Sequence, residues 1–283
     1  MLNGCAYILT VDVGNTFIRF GLFAEDSAAA QERPLATCEV TTPARITADE
    51  ARMRLVQVMG ALAADAGVPG VLVPAAAVLS CVVPALERPW KAALSRTCTG
   101  RVLTVGPGLK TGMPVHYDDP AEIGPDRIAD AVAARAVYGS PCIVIDLGTT
   151  TNIEVIDAHG TFVGGVIAPG LALGARSLSA AAARLPQVEP SAPTHVIGRN
   201  TREAMRSGVV LGEVARIDGM LDMVLAEMRA TKAAGEGDVP IIITGDDAEA
   251  LAALVGHSLT VDDALTLRGL AELYHINQKP RRA

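Results

Sequence analysis

An apolar run at residues 7–11 meets an acid at Asp12 and a glycine at Gly14, and a second apolar run follows at 17–23. That order predicts a strand, a tight turn and a returning strand. A third strand is expected at 36–41. Over 48–65 apolar residues recur three apart at Met53, Val56, Met59 and Leu62, which predicts a helix with those residues on its buried face. The pattern then gives a strand at 77–83, a helix at 85–96, a strand at 101–105, a Gly- and Pro-rich loop at 106–125 and a helix at 127–138. The last of these carries Ile128, Ala131, Val132 and Arg135 three or four apart. The second half restarts with strands at 142–146, 151–157 and 161–167. An Ala-rich helix at 171–184, a polar loop to 198 and a long helix at 201–230 follow. A strand at 240–244, a helix at 247–255, a short strand at 258–261 and a helix at 264–276 close the pattern. The basic tail from Gln278 to Ala283 is expected to fray.

The two halves echo each other. Asp12-Val13-Gly14-Asn15-Thr16 follows one β-like run, and Asp146-Leu147-Gly148-Thr149-Thr150 follows another, about half a chain length later. A duplicated α/β unit is the economical reading. The expected domains are 1–140 and 141–283, set side by side with the two turns facing across a nucleotide cleft.

Composition narrows the class. Half of the 283 residues are apolar and 19% are charged, so a sizeable core forms and disorder is excluded. Aromatics make up only 3%, too few for base-stacking platforms, and 24 basic against 31 acidic residues leave no basic stripe; nucleic acid is not an expected partner. Five scattered cysteines without a C-x-x-C pair speak against zinc or disulfide frameworks and for buried free thiols in a reducing cytoplasm. No targeting segment is legible. Residues 66–86 carry no charge and are long enough to span a bilayer, but Gly67, Pro69, Gly70, Pro74 and Pro84 interrupt them; a loop and a core strand are expected, and no membrane partner.

The chemistry concentrates at the turns. Asp12, Gly14, Asn15 and Thr16 can offer N–H groups and a hydroxyl to phosphate and a carboxylate to a metal ion, or can simply make a hairpin. Asp146, Gly148, Thr149 and Thr151 read the same way. Asp126, expected near a helix N-cap, either caps or serves as general base; Arg127 beside it can grip an anion. The loop 106–112 fails both the Walker A and the dinucleotide patterns, because Leu109 precedes Lys110 and Thr111 stands where the last Gly is required. His116 can line a pocket near Tyr117.

Taken in order, these motifs resemble those of the type III pantothenate kinases, which include the Bvg accessory factor proteins. The matching stretches are Asp12-Val13-Gly14-Asn15-Thr16, Ser80-Cys81-Val82-Val83-Pro84, residues 105–112, Gly124-Pro125-Asp126-Arg127-Ile128, Asp146-Leu147-Gly148-Thr149, residues 164–170 and Ile197-Gly198-Arg199-Asn200-Thr201. The resemblance spans roughly residues 8–275. It implies the actin-like ATPase (ribonuclease H-like) α/β fold and a homodimer. It also implies ATP-dependent phosphorylation of pantothenate, the first committed step to coenzyme A, with Mg²⁺ and a monovalent cation, K⁺ or NH₄⁺. Carried over, Asp126 is the general base. Asp12 serves magnesium and phosphate with Gly14, Asn15 and Thr16. Asp146 binds the monovalent cation, while Gly148, Thr149 and Thr151 meet phosphate. Tyr117, Gly124, Asp126 and Arg127 line the pantothenate pocket, completed by Thr201 from across the dimer.

The sequence departs from the family pattern at Leu147, Thr150 and Asn152, all mildly. It departs more sharply at Thr244-Gly245-Asp246, where a second Gly is usual. Asp246 either repels the nucleotide or points to solvent and caps a helix from Asp247. The alternatives are a non-catalytic or regulatory member that keeps the fold, or a kinase for another small hydroxy acid or sugar.

Overall fold

The computed structural model describes residues 6–26 and 30–278; Cys5 and the tail from residue 279 lie outside them. The chain divides into two units. One runs to Val137 and resumes at Ala264, and the other is Tyr138–Asp263.

In the first unit, β1 (Tyr7–Val13) is the middle of a five-stranded sheet. It pairs antiparallel with β2 (Phe17–Ala24), which pairs antiparallel with β3 (Ala36–Thr41). On its other edge β1 pairs parallel with β4 (Ala76–Cys81), which pairs parallel with β5 (Val102–Thr104). Every residue of β1 is buried, as expected of a strand covered on both faces. One face packs on α1 (Ala48–Asp65) and α2 (Pro84–Thr97), with Leu9, Val11, Leu55, Leu62 and Leu79 in a single cluster. Trp90 of α2 meets Phe20 at 5.6 Å between ring centroids, a tilted arrangement aromatic pairs favour. Thr47 and Glu50 form a full capping box at the start of α1. The stripe that α1 buries is Ala51, Leu55, Val58, Met59 and Leu62. Met53 and Val56, predicted to be inside, are 58% and 55% exposed. The helix carries two overlapping apolar stripes, and the sheet takes the one through Leu55.

Another helix of this unit comes from the far side of the second unit in sequence. Leu265–Ile276 (α8) packs on β1, β2 and β4. Leu267, Leu270, Ala271 and Leu273 are buried, and Gly269 presses onto the backbone of Ala129 in α3 (Pro125–Tyr138). The expected second domain ran to residue 283. The observed boundary differs because the sheet's second face needs an apolar cover, and α8 supplies it.

The second unit repeats the plan. Its central strand β6 (Cys142–Leu147) pairs antiparallel with β7 (Thr150–Ile156), and β7 with β8 (Phe162–Pro169). On the other edge β6 pairs parallel with β9 (Ile241–Gly245), and β9 with β10 (Thr260–Val261). The two sheets thus share one strand order about equivalent central strands. This is the duplicated α/β arrangement of the actin-like ATPase fold. After β8 come α4 (Leu171–Ala181), shorter than predicted, and α5 (Thr201–Arg206). The long helix expected at 201–230 is broken by a π-helical turn, Ser207–Leu211, before α6 (Gly212–Ala230). Ile145, Ile243, Ile217 and Leu221 lie in the core of this unit. The helix predicted at 247–255 is the shorter α7 (Ala248–Ala252). Among the described residues no helix is long and apolar enough to cross a membrane; the uncharged stretch 66–86 is a loop, β4 and the start of α2.

A methyl group at Gly269 would lie 1.9 Å from the Ala129 carbonyl oxygen. Gly→Ala inside a helix ordinarily stabilises by about 1 kcal/mol. Gly269→Ala should instead lower stability by about 1–3 kcal/mol, read from the urea midpoint of the purified protein. A midpoint that rises would contradict this close packing.

Candidate functional site

In the first unit the site grows from the end of β1. Asp12 lies in register with Ser80 of β4 and Arg19 of β2. The turn after it is closed by the Gly14 N–H donating to the Phe17 carbonyl at 3.0 Å. Thr42 holds the turn from the side, donating its hydroxyl to the Gly14 carbonyl at 2.7 Å, while its N–H bonds the Thr16 carbonyl at 2.9 Å. Asn15 and Thr16 stand at the exposed tip. Asp12 is only 8% exposed, and its Oδ1 and the Ser80 Oγ are buried without a hydrogen-bond partner. Burial, then the charge of Asp126, push the Asp12 carboxyl up to about 6; the Ser80 hydroxyl and Arg19 draw it back.

Asp126 therefore lies within electrostatic reach of Asp12. The sequence placed it near an N-cap; α3 instead opens with Pro125 as its first residue, a position where proline costs no hydrogen bond. Asp126 sits in the first turn, its Oδ1 accepting the Arg127 N–H at 2.8 Å. Burial raises its pKa, and the Arg127 N–H and guanidinium oppose the rise. Gly124 makes room for it: a Cβ there would meet Asp126 Oδ1 at 2.4 Å. Arg127 is buried and Tyr117 half-buried. A pocket of about 390 Å³ opens beside this helix start, walled by Val105, Leu109, Met113, Ile123, Pro125 and Ile128, with Gly106 and Gly108 on its rim. The glycine-rich loop that fails as a phosphate loop is thus a pocket wall. His116 is exposed and does not line it.

The second unit carries the equivalent turn. Asp146 ends β6, half-buried, in register with Asn152 and with Thr244 of β9. Thr244 thus stands where Ser80 stands in the first unit. The Gly148 N–H donates to the Thr150 carbonyl at 3.0 Å, and the Gly170 N–H to the Thr149 carbonyl at 3.1 Å. Two glycines pack tightly here. A Cβ on Gly170 would sit 2.2 Å from the Gly148 carbonyl, and one on Gly245 would sit 2.1 Å from the Leu147 carbonyl and 2.8 Å from Asp146 Oδ1. Gly245 also has φ +90°, open to glycine alone. Thr149 is half-buried. Thr151 is 3% exposed and gives its hydroxyl to Glu213 Oε1 at 2.7 Å. Thr201 is exposed at the start of α5, behind an Asn200 cap.

Asp246 precedes the N-cap position of α7. Asp247 stands at the N-cap of α7, at φ 58° and without a capping bond, and the Asp246 N–H donates to the Leu147 carbonyl at 2.6 Å. Of the expected buried thiols Cys142 is buried, while Cys38, Cys81 and Cys98 are half-buried and free. Ser80, Thr42, Glu213 and Arg216 were not singled out by their patterns. Ser80 falls inside a family motif, and its place opposite Asp12 emerges only from strand register.

Among the described residues no group of three or more His, Cys, Asp or Glu can hold a metal ion. The orphaned Asp12 Oδ1 at a strand end still suits Mg²⁺, which commonly takes one or two carboxylates plus substrate phosphates and water.

Comparison with known proteins shows the family. A family profile described as Type III pantothenate kinase matches residues 8–223. A Type III pantothenate kinase of Koribacter versatilis is 38% identical over 281 residues, covering 97% of each chain. One from Nocardia farcinica is 40% identical, covering 97% of this chain and 99% of its own. Two solved structures share the fold. A Baf family transcriptional activator from Campylobacter jejuni has TM-score 0.57 at 18% identity, over 95% of this chain and 98% of its own. The ethanolamine utilization protein EutJ from Carboxydothermus hydrogenoformans has TM-score 0.52 at 15% identity, over 94% of this chain and 89% of its own.

The raised Asp12 pKa makes a signed prediction for the protein without ligands. A folded-state pKa above the unfolded value means that folding takes up a proton, so stability falls as pH rises from about 4 to about 6. Asp12→Asn should therefore be more stable than the parent at pH 7, by roughly 2–3 kcal/mol, in denaturant titrations with chelator present. The gain should shrink as pH falls through about 6 and be nearly gone at about 4. A variant less stable at pH 7 would refute the burial argument.

Proposed function

The chain belongs to the type III pantothenate kinase family and phosphorylates pantothenate with ATP and a divalent metal in coenzyme A biosynthesis, and we propose that Asp126 is its general base. The observation that carries this assignment is the pairing of Asp126 with Asp12 in one unit, both carboxyls raised by burial. A base works best with a pKa near the working pH. Asp126 accepts the proton of the acceptor's primary hydroxyl. The hydroxyl oxygen attacks the γ-phosphorus of ATP, and the bond to the bridging oxygen breaks, leaving ADP. Phosphoryl transfer asks for positioning and charge neutralisation more than for covalent catalysis.

The remaining roles are proposed from the family motifs. Gly14, Asn15 and Thr16 meet phosphate oxygens from the first turn; Gly148 and Thr149 do so from the second. Asp12 would hold Mg²⁺, and Asp146 a monovalent cation, K⁺ or NH₄⁺; these ions neutralise charge on the phosphates when bound. Arg127 and Tyr117 recognise the acceptor, whose dimethyl end suits the apolar pocket beside Pro125 and Ile128. Thr201 completes that site from the second subunit of a homodimer. The half-buried and buried free thiols support a reducing cytoplasm as its place of work.

Asp126→Asn should lose turnover by about 10²–10⁴-fold while keeping the parent's circular dichroism and melting profile. Near-parental kcat in the folded variant would remove Asp126 from the base role. In the parent, pantothenate phosphorylation with Mg²⁺ should run in K⁺ buffer and fall strongly in Na⁺ buffer. Equal rates in the two would remove the monovalent ion from Asp146.

A further inference from the structure

The second turn has a support that its own sequence does not announce. Glu213, near the start of α6, is 5% exposed. A buried carboxylate must find partners or pay heavily in lost solvation. It finds two. Oε1 accepts the Thr151 hydroxyl at 2.7 Å, and Oε2 accepts Nη2 of Arg216, one helical turn on. The same Arg216 nitrogen donates to the Pro169 carbonyl at 2.6 Å. Pro169 immediately precedes Gly170, which packs directly onto the Gly148 and Thr149 carbonyls. One ion pair on α6 thus grips the turn from both sides, through β7 at Thr151 and through the end of β8 at Pro169.

Thr151 has one hydroxyl proton, and Glu213 holds it. The donor the sequence reading assigned to phosphate is directed into the protein. We propose that Glu213, with Arg216, is a positioning residue for the phosphate turn, acting on bound ATP through Thr151 rather than touching it. This rests on the reading of residues 146–151 as a phosphate site. The role requires a rigid turn: the Gly148 and Thr149 groups that meet phosphate have to be held where the oxygens arrive.

The test is a thermodynamic cycle on binding of a non-hydrolysable ATP analogue, followed by calorimetry, with kinetics alongside. Thr151→Val removes the hydroxyl at nearly constant shape. Glu213→Met removes the acceptor and leaves Arg216 partly hydrated. Each single variant should weaken analogue binding by about tenfold, in the range typical of supporting hydrogen-bond partners. Each should raise the ATP KM while leaving the pantothenate KM unchanged. Thr151→Ser should restore parental binding. The double variant should bind no more weakly than the worse single one, because both act through one bond. Additive losses, or parental affinity in folded Thr151→Val, would overturn the proposal. Should Glu213→Met fail to fold, Thr151→Val against Thr151→Ser decides alone. Thr149→Val and Gly148→Ala separate the two readings. If they weaken the analogue and Thr151→Val does not, the Glu213 inference fails by itself. If they too leave affinity untouched, the phosphate site at this turn fails.

Discussion

A carboxylate that must be both held and reachable has few places to stand in an α/β sheet. The central strand of each unit is covered on both faces, so its interior admits no charge. Only its last residues, where the covering helices stop, can carry one. Asp12 and Asp146 occupy those ends. The elements around them serve that constraint: a hydroxyl on the neighbouring parallel strand (Ser80, Thr244), a glycine turn, and an antiparallel strand returning from it. Burial is costly for an isolated carboxylate, and a nearby cation is what would offset that cost.

The two turns have diverged from one plan. In the first, Asp12 feels Asp126, a second acid from the start of α3. In the second, the nearby acid is Glu213, already matched by Arg216 and Thr151. Asp12 thus keeps a like-charged neighbour that Ser80 and Arg19 only partly offset, while the charge of Glu213 beside the second turn is matched within the protein. Gly170 and Gly245 show how closely the second is packed, since neither tolerates a side chain against the Gly148 and Leu147 carbonyls.

Much of this was legible in the sequence, and the limits have physical causes. Strand and helix positions followed from periodicity, and the echo of Asp12 in Asp146 gave the duplication that the matching strand orders display. The buried face of α1 was misread because Met53 and Val56 offer a stripe as regular as the one through Leu55; only the partner sheet chooses between them. Glu213 gave no signal because an acid in the first turn of a helix is ordinary, and its burial comes from β7, about sixty positions earlier in the chain. The π-helical turn has no distinctive composition, and Ser207–Leu211 reads as plain helix. For Asp246 the sequence left repulsion of the nucleotide and helix capping both open, and its neighbour Asp247 holds the N-cap position in a left-handed conformation that residue type alone does not reveal.

The helix α8 carries a consequence for how the molecule comes into being. It covers the side of β1 on which Asp12 lies, yet it is made after the whole second unit. On the ribosome the strands of the first sheet emerge early, and the helix that covers its second face follows only after the second unit. The ordinary rule that amino-terminal domains finish folding first is reversed here. The second unit, continuous in sequence, can close while the first still waits for α8.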